Sequence, residues 1–401
     1  MRKISVALLT AVFAVTFAYA ESNLDGRSIV VEFGKYAAHY DPVSIAYDGP
    51  APQGNLAAVD QGTGKAYPVT VRDGQLVFVP EGAAPHAKKT YTLKATQADG
   101  HVSVKPEEGK KEISVVIDNK PFTTYHYSDE YQKSFLWPVL SDGVPVTRAW
   151  PMGERELSRD HKHHKSWWVS YGNLNGVDCW GEEKGSGWQV TKSVSYSSGG
   201  AYGWIAADDV WTDKDKKPVI NESREYRFYN TPTGERVTDM KVTFTAAYGD
   251  VKWGDTKEGG ICAFRVRDIM TVNKGGTITL SNGRDKDTWG KRSPWCDYSG
   301  NLGKKEGVHG IAVFDNHQNL RFPTWWHVRK YGLMAANCFG LSYFTEDDPE
   351  PLNGDYMMKK GDTLTFHYRV YIHDGDVKQA DVLAHYENYA QPPKATWGAA
   401  Q

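Results

Sequence analysis

Between residues 363 and 373 the chain alternates without a break. Leu364, Phe366, Tyr368, Val370 and Ile372 fall on one side, and Thr365, His367, Arg369, Tyr371 and His373 on the other. Period two over so long a run predicts a strand with one packed face and one polar face. Shorter β-branched and aromatic runs recur at 28–33, 75–79, 113–117, 226–229, 240–245 and 311–314, and each reads as a strand. Between such runs lie Asp25-Gly26, Asp48-Gly49, Asp73-Gly74, Asp99-Gly100, Asp142-Gly143, Asn175-Gly176, Asn282-Gly283, Asn353-Gly354 and Asp374-Gly375. Such pairs tolerate the positive φ angles of tight hairpin turns. Helical spacing is convincing only at 377–390, where Val382, Leu383, Tyr386, Tyr389 and Ala390 follow a capping-competent Asp376. The predicted fold class is all-β with one C-terminal helix.

Composition divides this chain in two. All 14 tryptophans lie from Trp137 onward, whereas residues 21–105 combine small strands with many alanines and glycines. We expect an N-terminal Ig-like β-sandwich over 21–105 with an accessory role, and a large β-sandwich over 106–395 that carries the chemistry. The Lys-, Glu- and Gly-rich stretch 101–111 is the expected joint.

The first twenty residues change the picture of where the chain works. Arg2 and Lys3 precede an apolar run over 4–18 and then Ala18-Tyr19-Ala20, the pattern of a signal peptide cleaved after Ala20. The expected location is the periplasm or the exterior of the cell. No later run approaches the ~20 apolar residues needed to cross a bilayer, so no membrane partner is expected after cleavage. Lysine and arginine total 47 against 49 aspartates and glutamates, with no basic block to follow a phosphate backbone, so nucleic acid is not an expected partner. Cys179, Cys262, Cys296 and Cys338 are widely spaced and form no C-x-x-C, which suits buried thiols or one bridge better than a metal site.

Three clusters can carry chemistry. The first joins Arg148 to Asp160-His161-Lys162-His163-His164-Lys165-Ser166-Trp167. If the run is extended, His161, His163 and Trp167 share a face, and H-x-H spacing lets two imidazoles reach one metal ion. A hydrogen-bonded polar cluster at a pocket rim is the other reading of the same residues. Lys162 and Lys165 flank the pair and disfavour a dication, so no metal and no other cofactor is expected. The second cluster is Trp325-Trp326-His327-Val328-Arg329-Lys330-Tyr331, continuing to Asn337. Aromatic planes beside His, Arg and Asn suit sugar recognition, since a pyranose offers C–H faces for stacking and hydroxyls for hydrogen bonds. A half-buried aromatic strand is the plainer alternative. The third is Gly254-Asp255-Thr256-Lys257-Glu258-Gly259-Gly260, a glycine-flanked loop able to present a carboxylate, or else an ordinary solvated turn. No G-x-S-x-G, Walker loop, dinucleotide fingerprint or H-E-x-x-H is present, which removes serine-esterase, nucleotide-dependent and zincin chemistry.

These clusters, with Val146-Thr147-Arg148, Gly172-Asn173-Leu174-Asn175-Gly176 and His373-Asp374-Gly375-Asp376, make the C-terminal ~280 residues resemble one bacterial family. It is catalogued as "methane oxygenase PmoA" or DUF6807. A membrane monooxygenase subunit needs several transmembrane helices, so the label is not taken as the function. The resemblance implies an exported protein of glycan-digesting bacteria, with a galactose-mutarotase-like β-sandwich (supersandwich) whose sheet face binds sugar. The expected function is cleavage of a glycosidic bond, by hydrolysis or elimination. His163, His164, His327, Glu258 and Asp255 are the candidate catalytic groups. Arg148, His161, Trp167, Asn175, Lys257, Trp326, Arg329, Tyr331, Asn337 and His373 are the candidate substrate contacts. A non-catalytic glycan-binding protein and a mutarotase-type isomerase are the alternatives.

Overall fold

The computed structural model describes residues 24–52, 54–152, 158–231, 234–283 and 287–399. The expected signal peptide lies outside the described residues. The chain is all-β. Seven of the Asp-Gly and Asn-Gly glycines adopt positive φ, the exceptions being Gly49 and Gly354. At Asp73-Gly74, Asp142-Gly143 and Asn175-Gly176 both residues do so, as a type I′ hairpin turn requires.

An eight-stranded antiparallel sheet runs in the order Trp188–Ser197, Tyr202–Thr212, Pro218–Tyr229, Arg236–Thr245, Thr363–Asp374, Val308–Asp315, Trp295–Asn301 and Thr277–Leu280. A nine-stranded sheet runs Trp326–Val328, Leu333–Ala336, Gly259–Arg265, Trp167–Tyr171, Phe135–Ser141, Lys120–His126, Glu112–Ile117 and Val102–Pro106, with Val144–Pro145 paired to Phe135–Ser141. The two sheets face each other across one core. Leu364, Phe366, Tyr368, Val370 and Ile372 enter it from one side, as their alternation predicts, and Trp167, Val169, Tyr171 and Phe264 from the other.

A seven-stranded sheet forms the N-terminal body, in the order Lys394–Trp397, Ser28–Glu32, Lys88–Lys94, Ala57–Asp60, Ala66–Arg72, Gln75–Phe78 and Val43–Ala46. Its two edge strands meet, Trp397 Nε1 donating to the Ala46 carbonyl at 3.1 Å, so the sheet curls around its own core of Ile29, Val31, Phe78, Tyr91 and Leu93. The stretch expected as a joint instead carries Val102–Pro106, an edge strand of the nine-stranded sheet. Val102 and Val104 alternate into the inter-sheet core, a signal hidden by the charged residues around them. The crossing from one body to the other therefore falls between Lys94 and Val102, and the last strand returns to the first body.

The C-terminal helix spans Val382–Ala390, shorter than the pattern suggested. Asp376 caps a turn instead, its carboxylate accepting from the Lys378 and Gln379 amides. A second, one-turn helix, Leu341–Phe344, had no clear periodicity to reveal it. The longer helix ties the bodies together, because buried Asp41 accepts from Asn388 Nδ2 at 2.9 Å and pairs with His385 Nδ1 at 3.2 Å. Asp41→Ala leaves these buried groups without that acceptor, and we expect a loss of about 1–3 kcal/mol in denaturant unfolding. An unchanged midpoint would show that the helix is held by its apolar face alone.

Candidate functional site

The alternation that sends Trp167 and Trp326 into the inter-sheet core sends Trp168 and His327 to the opposite, outer face of the nine-stranded sheet. On that face lies a cleft of about 560 Å³. It is lined by His161, His163, Gly172, Asp178, Trp180, Gly181, Glu183, Thr256, Lys257, Glu258, His327, Arg329 and Tyr331. Four stretches thus converge: the histidine loop, residues 172–183, the glycine-flanked loop, and the strand that begins at Trp326 with the turn after it.

The histidine run is a loop and not a strand. His161 has φ +46°, and the His164 amide donates to the His161 carbonyl at 2.9 Å, closing a tight turn. What shapes the turn lies beneath it. Arg148 donates to the carbonyls of Asp160, His161 and His164 and to Asp160 Oδ1, and Arg265 Nη2 donates to the same Oδ1 at 3.0 Å. Asp160 Oδ2 in turn pairs with His161 Nδ1 at 2.9 Å. The His161 ring packs nearly parallel to Tyr331, with centroids 5.0 Å apart and planes 11° apart, and to His164, at 4.7 Å and 16°. A carboxylate on Nδ1 selects the tautomer with a proton there and leaves Nε2 as an acceptor.

Across the cleft, Glu258 follows a loop held from three sides. Buried Asn337 donates through Nδ2 to the carbonyls of Thr256 and Lys257. The Glu258 amide donates to Thr256 Oγ1 at 3.1 Å. Gly172 backs the segment so closely that a Cβ there would sit 2.6 Å from the Glu258 carbonyl oxygen and 3.1 Å from its Cβ. Beside the loop, His327 is buried with Nδ1 unpartnered among the described residues, and Trp180 and Trp289 pack around its ring.

Burial and a surplus of nearby cations decide the protonation of this cleft. His163 is pushed down to about 3, first by desolvation and then by the charges of Lys133, His161 and Lys165. His327 is also pushed down to about 3, by desolvation and then by Arg329. Both imidazoles are therefore neutral at ordinary pH. Desolvation raises the Glu258 carboxyl above its usual range even though Lys257, Arg329 and His161 oppose the shift. Lys165 is lowered to about 8 by burial, which its 2.7 Å contact with Glu182 only partly offsets.

A family model matches residues 112–387, which takes in both large sheets except the Val102–Pro106 edge strand, and every wall of this cleft. The chain belongs to DUF6807. That family is described as one of unknown function. No curated protein is similar to the sequence. Among solved structures, an α-mannosidase from Enterococcus faecalis V583 has a TM-score of 0.48 at 10% identity, covering 94% of this chain and 46% of its own. A glycosyl hydrolase family 38 protein from Enterococcus faecalis scores 0.46 at 10% identity, over 94% and 48%. A glycoside hydrolase family 97 enzyme from Pseudoalteromonas sp. strain K8 in complex with panose scores 0.29 at 9%, over 69% and 34%. The DUF6807 chain thus spans less than half the length of each. At these scores the likeness carries no functional information.

Of the candidate residues, the DUF6807 cleft gathers His161, His163, Lys257, Glu258, His327, Arg329 and Tyr331. The others stand elsewhere. His164 is buried below the floor, packed on Trp168 and Trp180 with Nδ1 3.4 Å from Arg265. Asp255 turns away, accepting from the Ser342 and Gly354 amides. Arg148 and Asn337 are buried behind the loops they shape. Trp167 and Trp326 are core side chains, because the period-two alternation assigns them the inter-sheet face. Asn175 clamps an exposed turn, with Oδ1 accepting from the Lys252 amide. His373 lies on the eight-stranded sheet, paired with Asp297. The cleft also uses Trp180 and Asp160, which the sequence did not single out for these roles. Trp180, in Asp178-Cys179-Trp180-Gly181, follows a loop with no periodicity to mark it. All four cysteines are free and buried. The described residues include no group of three or more His, Cys, Asp or Glu placed to hold a metal ion, and none of their helices is long and apolar enough to cross a membrane.

The His373–Asp297 pair gives a stability test apart from the cleft. Both side chains are fully buried, with Nε2 2.7 Å from Oδ2. Burial alone disfavours the charged ring, but the Asp297 carboxylate outweighs it and the pKa of His373 rises. A raised histidine contributes its full stabilisation below the unfolded value of about 6.5 and loses it as pH climbs through the folded value. We expect His373→Gln to flatten that decline in Tm measured from about pH 5 to 9. A wild-type slope retained in the variant would assign the pH dependence elsewhere.

Proposed function

We propose that this protein is a carbohydrate-active enzyme that cleaves a glycosidic bond. The observation that carries the reading is the opposition, in one cleft, of His161 oriented by Asp160 and Glu258 with a raised carboxyl pKa. Glycosidic cleavage needs one group to deliver a proton to the departing oxygen and another to remove a proton from water or from a sugar carbon. Burial favours the protonated form of Glu258, which serves as the acid. The anchored Asp160 carboxylate leaves His161 Nε2 as the base.

The remaining walls suit a sugar. The half-buried Tyr331 ring offers apolar surface, and the neutral, half-buried His163 offers a ring nitrogen to a hydroxyl without the cost of placing further charge there. Past Glu183 the cleft continues into a second depression bordered by Trp150, Tyr131 and Trp188, which gives room for further units of a glycan chain. On this reading the N-terminal leader exports the protein to where such glycans are met. The histidine and glutamate loops both belong to the C-terminal body, so the N-terminal body acts as an accessory.

The experiment is incubation with a glycan panel, read as new reducing ends for hydrolysis or as absorbance of unsaturated products for elimination. We expect Glu258→Gln and His161→Ala each to lower kcat by about 10²-fold or more, with circular dichroism unchanged. Full activity in both variants would overturn the assignment. Binding with no product would make the protein a glycan receptor, and anomer interconversion without cleavage would make it a mutarotase. Positioning is tested separately. Gly172→Ala must push the Glu258 segment by a few tenths of an ångström or more, and we expect kcat/KM to fall by about 10²-fold while Glu258 itself is retained.

A further inference from the structure

Among the described residues, one guanidinium of the cleft has no carboxylate or carbonyl partner. Arg148 and Arg265 are both spent on Asp160. The guanidinium of Arg329, a half-buried residue on the cleft wall, makes no hydrogen bond or ion pair with any described residue. Its guanidinium carbon lies 3.5 Å from the centre of the Trp289 ring. Trp289 is itself held between His327 and Phe344. Stacking of this kind fixes the plane of a guanidinium while leaving its edge, with its fork of N–H donors, free.

The acids nearby do not answer it. Asp178 is occupied by the Trp180 and Gly181 amides. Glu258 makes no ion pair with Arg329, although the Arg329 charge opposes the rise that burial gives its carboxyl. Lys257, a second cation on the same wall, is 3.9 Å from Glu258 and makes no shorter contact with a carboxylate of the described residues. A half-desolvated guanidinium with its donors unanswered is matched by a planar or tetrahedral oxyanion, which accepts two N–H bonds at once. Neutral hydroxyls can accept the same N–H bonds but leave the charge unanswered.

We propose that this cleft takes an anionic sugar, with a carboxylate or sulfate group of the substrate seated on Arg329 and flanked by Lys257. The inference rests on the carbohydrate reading above and narrows it to uronate-containing or sulfated glycans. It also gives Arg329 a different role from Arg148 and Arg265, which only shape the loop.

Calorimetric titration of the full chain tests it, using oligosaccharides of equal length in three forms: neutral, uronate-containing and sulfate-bearing. We expect at least one acidic form to bind about tenfold or more tighter than its neutral counterpart. The two acidic arms distinguish a carboxylate from a sulfate ester. In Arg329→Met the acidic-over-neutral ratio should fall to near one, and Arg329→Lys should restore part of it. Because the readout is a ratio, general damage to the fold would lower both affinities and leave it unmoved. Equal or tighter binding of the neutral form by the wild type would overturn the inference and leave the carbohydrate reading standing. An acidic preference that survives in Arg329→Met would overturn the role of Arg329. Failure of every sugar to bind would overturn both.

Discussion

Two guanidinium groups, Arg148 and Arg265, lie almost wholly out of water beneath the cleft, and the site depends on how their charge is answered. Burial and the neighbouring Arg265 charge lower Arg148 to about 10, and the pair is tolerable only because carboxylates stand beside it. Asp268, which accepts from Ser158, and Asp160 supply them. Asp160 can reach only if the chain from residue 158 to 164 folds back over the arginines. That requirement gives His161 its left-handed backbone, brings the ring of His161 onto His164, and aims its Nδ1 at the same carboxylate. A charge-compensation problem under the sheet thereby sets the orientation of an imidazole above it.

The nine-stranded sheet supports this arrangement by dividing its residues between two tasks. Its inner face closes the core against the eight-stranded sheet with Trp167, Phe264 and Trp326. Its outer face carries Trp168, Ala263, Leu333 and Ala335, a shallow apolar floor on which Trp180 lies. Polar loops from both ends of the strands cover that floor, and the desolvation they impose keeps His163 and His327 neutral and raises Glu258. The cleft's chemistry is therefore produced by where the loops lie on the sheet as much as by which residues they contain.

Much of the fold was legible in the residue pattern, because strand periodicity is a local property. The 363–373 alternation assigned five side chains to the core, and all five are there. Asp-Gly and Asn-Gly pairs marked turns because few other residues tolerate positive φ. The same locality explains the failures. At 101–111 the charged composition outweighed the Val102 and Val104 alternation, and the N-terminal sheet recruits its edge strand from residues 394–397, which no local window can see. For the histidine run, an extended reading was natural from H-x-H spacing, yet the buried arginines impose a turn.

What the sequence determined by itself is the all-β class, the inward face of its clearest strand, and three of the segments that line the cleft, since each rests on residue type and short-range period. Tertiary structure alone decided which members of those segments meet. Asp255 and Glu258 are three positions apart in one loop, but one carboxylate is consumed by the Ser342 and Gly354 amides and the other is left facing the cleft. Trp326 and His327 are neighbours, and the pleat of a strand sends them to opposite faces. His373 belongs to a conspicuous motif and lies in the other sheet. Such outcomes depend on contacts between residues far apart in the sequence, whose geometry exists only once the sheets have packed.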